Sequence, residues 1–291
     1  MLISTEIHSY RKLGDNRAII KMLKESGFTA YDFSMFRGGL ADEILLADDY
    51  LARARAFRAY ADEIGIPCNQ THAPFSTLRK GNDEWNEMML PRVRRAIEVS
   101  GLLGACVCVV HPCNDYTAEE NAVLYKSFES IARDAGVKIG VENMWNCINS
   151  GTPDFKALPA ACSHHEDFKR HLALLPSDVF VACLDIGHAE MRDLGTSAVE
   201  MIDTLGERLQ AIHLHDVDLR YDSHAMPFTY KAGGIDYEPI IEALRRNGYK
   251  GDVTLECDRF AIFLPVPLLS AGARYAASIA DYFKKRIESA E

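Results

Sequence analysis

A single (β/α)8 barrel is the fold class that this 291-residue sequence predicts, on three observations. Short apolar, β-branched runs alternate with amphipathic segments eight times. No composition shift, low-complexity stretch or close repeat divides the chain, so residues 1–291 read as one domain, and barrels of about 250 residues are ordinary single units. Seven of the eight runs stop on an acid or a histidine, which suits a barrel that builds its site at one mouth.

Residues 2–8 form the first expected strand, and Asp15-Asn16 then caps a helix that runs through Ser26 to the stop at Gly27. Strand two covers 30–33. The helix expected over 42–64 has apolar positions at Leu45, Leu46, Leu51, Ala54 and Phe57, and Gly65-Ile66-Pro67 breaks it. Strand three, 68–72, leads to a helix over 84–100. Strand four, 105–111, is almost continuously apolar, as a strand buried on both faces should be. Thr117 and Glu120 have capping-box spacing and open a helix that Gly136 ends. Strand five covers 137–142. The stretch 143–163, rich in Gly, Pro, Ala and Cys, reads as an excursion above the barrel, before a helix near 165–174. Strand six is 179–185, its helix 197–205, and strand seven 209–213. A long loop, 216–236, carries Gly233-Gly234 near its end. Helix 237–247 with Gly248 as C-cap, strand eight at 253–256 and a last helix over 267–287 complete the pattern.

Composition narrows the function. Hydrophobic residues make up 48% of the chain and charged residues 25%, which gives a globular domain ample core. No apolar run reaches the roughly 18 residues of a membrane helix. The start, Met1-Leu2-Ile3-Ser4-Thr5-Glu6, lacks the basic and long apolar regions of a signal peptide, so a cytoplasmic location is expected. None of the eight cysteines forms a Cys-x-x-Cys pair, and Cys106 and Cys108 are expected to pack together on one strand face. A net charge of −10 speaks against nucleic acid as partner. Self-association is left open.

The groups at the strand ends are His8, His72, His111, Glu142, Asp185 with His188, His213 with Asp216, and Glu256. Imidazole and carboxylate without thiolate suit a divalent metal of the Mn, Mg, Co or Zn type, with positions open to substrate oxygens. His215 is read as turned away from His213, and Asp216 as a loop partner.

The set Thr71-His72-Ala73-Pro74, Val110-His111-Pro112, Val141-Glu142-Asn143, Leu184-Asp185-Ile186-Gly187-His188, His213-Leu214-His215-Asp216, Asp236-Tyr237 and Thr254-Leu255-Glu256 resembles the xylose-isomerase-like barrel superfamily, and its sugar phosphate isomerase/epimerase family in particular. The resemblance implies a metal held by Glu142, Asp185, His213 and Glu256. It also implies that Glu142 and Glu256 serve as the acid–base pair for proton transfer next to a sugar or polyol carbonyl. His188 resembles the family histidine that orients substrate oxygens. His72, His111 and Trp145 are expected to line the substrate site, and His224 to close over it. Ketose 3-epimerases carry a further Glu and Arg at offsets that fall here on Ile148 and Leu219, and Arg220 is the nearby stand-in. Arg37 with Gly38-Gly39 is a candidate phosphate contact. A keto-sugar dehydratase or 3-keto-glycoside lyase shares the first proton abstraction and is the alternative. Endonuclease IV resembles the chain at nine positions: His72, His111, Glu142, Asp185, His188, His213, Asp222, His224 and Glu256. The acidity of the chain argues against that DNA-repair reading.

Overall fold

The computed structural model describes residues 1–230 and 233–289. The strands run β1 (Ile3–Thr5), β2 (Tyr31–Ser34), β3 (Cys68–His72), β4 (Val107–Val110), β5 (Lys138–Glu142), β6 (Trp145–Ile148), β7 (Lys156–Pro159), β8 (Phe180–Asp185), β9 (Leu209–Leu214) and β10 (Val253–Leu255). All but β6 and β7 join one parallel sheet in the order β1-β10-β9-β8-β5-β4-β3-β2. Its two ends meet. Glu6 bridges Asp32, Ile7 N–H donates to the Asp32 carbonyl at 3.1 Å, and Ala30 N–H donates to Ile3 at 3.0 Å. The eight-stranded barrel is therefore closed, with helices outside.

Alternation along the strands splits the apolar residues into two cores. Val107, Val109, Val181, Cys183 and Ala211 fill the barrel. Gly140 lies among them, where an added Cβ would come within 2.8 Å of Val107 Cγ1, so hydrogen is the side chain that fits below Glu142. The larger core, including Phe33, Phe57, Ile97, Phe168 and Phe283, lies between strands and helices. Each such side chain buried contributes about 1.5–3 kcal/mol.

Local differences from the sequence reading have local causes. β1 stops at Thr5 because the Glu6 carboxylate accepts from Ser9 N–H at 2.8 Å and from the Ser9 hydroxyl, which starts a 3-10 turn at His8–Leu13. The helix expected over 42–64 is two helices, Asp42–Leu46 and Tyr50–Ile64. Arg95 donates to the carbonyls of Leu45 (2.7 Å) and Ala47 (3.3 Å), and so takes acceptors that a continuous helix would use. The capping box forms as expected, with Glu120 N–H on Thr117 Oγ1 and Thr117 N–H on Glu120 Oε2. Its helix nevertheless breaks after Lys126 and resumes at Glu129–Ala135. The 143–163 excursion contains an antiparallel hairpin, β6 with β7. Cys108 is buried, but Cys106 precedes β4 and is exposed, so the pair does not pack together. Residues 231 and 232 of the 216–236 loop lie outside the described residues. Among the described residues no helix is long and apolar enough to cross a membrane.

Candidate metal and active site

The C-terminal ends of β3, β5, β8, β9 and β10 converge. Glu142 ends β5, Asp185 ends β8, His213 lies in β9 opposite Asp185, and Glu256 follows β10 directly. Ligand atoms of Glu142, Asp185, His213 and Glu256 all lie within 4.8 Å of one another, and all four residues are buried. His213 Nδ1 is the centre of the group, 3.0 Å from Glu142 Oε1, 2.8 Å from Glu256 Oε2 and 4.0 Å from Asp185 Oδ2. Three buried carboxylates this close repel one another unless positive charge lies between them. Burial alone would raise the Glu142 carboxyl, yet His213 and His111 hold it well below the usual carboxylate range. Burial would raise Glu256 too, but His213 and His224 together lower it. A hard, oxygen-rich donor set with one imidazole fits a divalent cation of the Mn, Mg, Co or Zn type.

Two further groups flank this one. On one side His72 and His111 approach the other oxygen of Glu142, Oε2, at 3.4 and 2.9 Å. On the other, His188, His215, Asp222 and His224 form a second set of ligand atoms within 4.8 Å of one another. Asp222 Oδ2 lies 3.3 Å from His188 Nε2 and 3.1 Å from His224 Nε2, and Oδ1 is buried without a hydrogen-bond partner among the described residues. Burial opposes charge on His188, but Asp185 and Asp222 lift its pKa to about 10. His215 corrects the sequence reading. Residues two apart on a strand share a face, so His215 follows His213 inward and sets Nε2 2.9 Å from Asp185 Oδ1.

The β8 end is built tightly. Asp185 caps the short helix Ile186–Ala189 through His188 N–H at 2.7 Å, and Asn143 Oδ1 accepts from Asp185 N–H at 2.7 Å. An added Cβ at Gly187 would overlap the His215 ring, so glycine is required there.

A cavity of about 520 Å³ opens above the carboxylates. Glu142, His111, His188, Asp222, His224 and Glu256 reach its floor, with Trp145 and Met144 in its wall. His72, Asp185 and His213 lie deeper, behind that lining. Arg220 does not line the cavity. It donates to the carbonyls of Pro153 and Phe155, so it fastens the β6–β7 connection instead of facing the floor. Arg37 packs on Trp85, 4.7 Å from its ring centre. His8 packs against Phe36, and burial lowers its pKa to about 4. Sequence reasoning missed Phe75, which stacks on His111 at 4.9 Å and roofs the cavity, although the Pro74-Phe75 step after β3 was a signal. It also missed Asn143 and Gln70, which hold the candidate ligands Asp185 and His213 from behind.

A family model described as a xylose isomerase-like TIM barrel matches residues 20–285. The chain belongs to that family. Among curated relatives of this xylose isomerase-like barrel is an uncharacterized protein of Methanocaldococcus jannaschii, 28% identical over 196 residues, which cover 64% of this chain and 62% of that protein. The chain thus spans under two thirds of that relative's length. A second, from Sinorhizobium fredii, is 24% identical over 280 residues, covering 84% of this chain and 83% of its own. Solved structures of the same fold include a D-tagatose 3-epimerase-like protein (TM-score 0.73, 19% identity, 99% and 98% of the two chains). They also include the 3-keto-D-glucoside 4-epimerase of E. coli (TM-score 0.66, 13% identity, 96% and 99%).

Proposed function

We propose that this barrel is a divalent-metal-dependent sugar isomerase or epimerase that moves a proton on the carbon next to a carbonyl. The observation that carries the reading is the buried group Glu142, Asp185, His213 and Glu256 below an open cavity. Similarity of fold to sugar epimerases supports it. The bound cation would stabilise the negative charge of the enediolate formed on proton loss. Glu142 and Glu256 flank His213 Nδ1 and are held ionised, so either carboxylate can accept a proton from substrate carbon and the other can return one. His188 and His224, at the cavity floor, are placed to hold substrate oxygens, and Trp145 offers a ring face to the sugar.

Protein loaded with Mn²⁺ and incubated with a panel of ketoses and keto-sugars in D₂O should introduce deuterium beside the carbonyl and rearrange the sugar. Glu142→Gln and Glu256→Gln should each slow that exchange by about 10² to 10⁴. Loss of water or of an aglycone in place of rearrangement would move the assignment to a lyase.

A second reading follows from the flanking groups. His72 with His111 and Glu142, and His188 with His215, Asp222 and His224, are two further sets able to hold cations. Three ions per chain by elemental analysis, with cleavage of abasic DNA and no sugar turnover, would replace the isomerase by an endonuclease IV-like enzyme.

A further inference from the structure

His213 presents its two ring nitrogens to different surroundings. Nδ1 faces Glu142 and Glu256, at 3.0 and 2.8 Å. Nε2 turns into the barrel, where the carboxamide nitrogen position of Gln70 lies 2.8 Å away. That same carboxamide position is 2.8 Å from Asp32 Oδ2. All three are buried: Gln70 is 3% exposed, Asp32 1% and His213 1%.

A neutral imidazole carries one N–H and one lone pair. For Nδ1 to offer its lone pair to a cation, the proton must be on Nε2, and a buried Nε2–H needs an acceptor. The atom facing it belongs to Gln70, whose carboxamide exchanges oxygen for nitrogen by a half-turn. With Oε1 in that position, the oxygen meets Asp32 Oδ2 as well, and the contact is favourable when the Asp32 carboxyl carries the proton. Asp32 suits that state. Its Oδ1 has no hydrogen-bond partner among the described residues, and an anion so poorly supported at a buried position is costly.

We propose that Gln70, backed by Asp32, is a positioning residue that holds His213 in the tautomer whose Nδ1 lone pair faces the cation site. The proposal rests on the four-ligand reading above. In the cation-bound form Gln70 Oε1 accepts from His213 Nε2–H and from the Asp32 O–H.

The test uses Zn²⁺, followed by calorimetric titration of wild type, Gln70→Met and Asp32→Asn, with ¹⁵N spectra of His213 before and after loading. Gln70→Met keeps the volume without the acceptor and should weaken binding about 10- to 100-fold. Asp32→Asn supplies a permanent N–H to Oε1, and should bind within a few-fold of wild type or more tightly. Loaded wild type should show a protonated Nε2. Equal affinity in Gln70→Met, or an Asp32→Asn loss as large as that of Gln70→Met, would overturn the proposal. So would an unprotonated Nε2 in loaded wild type, a readout that stands even where Gln70→Met does not fold. Wild type that takes up no Zn²⁺ removes the four-ligand reading itself, which separates that failure from this one.

Discussion

Glu6 is 1% exposed at the barrel seam, and its carboxyl is raised well above the ordinary value by burial, against the two hydrogen bonds from Ser9. A folded-state pKa above the unfolded one means that the folded protein holds this proton to higher pH than the unfolded chain does. The contribution to stability is therefore greatest below about pH 4.3 and falls as pH rises through the raised value. Glu6→Gln removes that fall. Thermal melts across pH 4 to 8 should show a flatter profile than wild type and a higher Tm at pH 7, and an unchanged slope would refute the assignment. The metal-ligand candidates were legible at this scale because Glu142, Asp185, His213 and Glu256 each stand where an apolar run stops. Gln70 and Asp32 were not, because a polar residue within a strand does not reveal what faces it across the barrel. Arg220 was misjudged as a cavity residue for a related reason: a loop arginine near a ligand in sequence is free to turn to any carbonyl within its reach.

Between β9 and the helix Tyr237–Arg246, the loop is organised by one side chain. Asp216 pairs its backbone with Ala225 at 2.8 and 3.0 Å, and its carboxylate accepts from Tyr230 N–H at 3.2 Å and Ile235 N–H at 3.3 Å. The bridge places Asp222 and His224 over the floor, with His224 Nδ1 2.9 Å from the Glu256 carbonyl. Asp216→Ala should cost about 1–3 kcal/mol, speed hydrogen exchange at the Tyr230 and Ile235 amides, and leave exchange in β4 and β5 unchanged. The strand–helix alternation made most elements readable, since each apolar run and cap acts locally. The β6–β7 hairpin escaped because its strands are four residues each and all but Ala157 are half-buried or exposed, so no period-2 pattern stood out. The helix break at Ala47 escaped because its cause, Arg95, is distant in sequence.

For the whole barrel, the candidate cation site and the fold share one stability. Glu142 and Asp185 end two strands of the closed sheet and Glu256 directly follows a third, so an ion held by them would tie three strands together. An ion that binds the folded state alone stabilises it by about 2.7 kcal/mol at a hundred times its Kd. For a domain of this size that is a rise in Tm of about 5 °C. Calorimetric scans with Mn²⁺ and with EDTA should differ by that order, and Asp185→Asn should abolish the difference. A Tm indifferent to both additions would count against the site.

Glu142 sets Oε1 against His213 and Oε2 beside His111 and His72, at 2.9 and 3.4 Å, with no hydrogen-bond partner for Oε2 among the described residues. A carboxylate shared in this way is a thermodynamic link: any charge placed against Oε1 changes what Oε2 offers to the imidazoles on its far side, and the reverse holds by the same amount. The two flanks of the cavity floor therefore cannot be loaded, titrated or mutated as independent compartments. Occupancy curves for this protein should be fitted as a coupled system from the start.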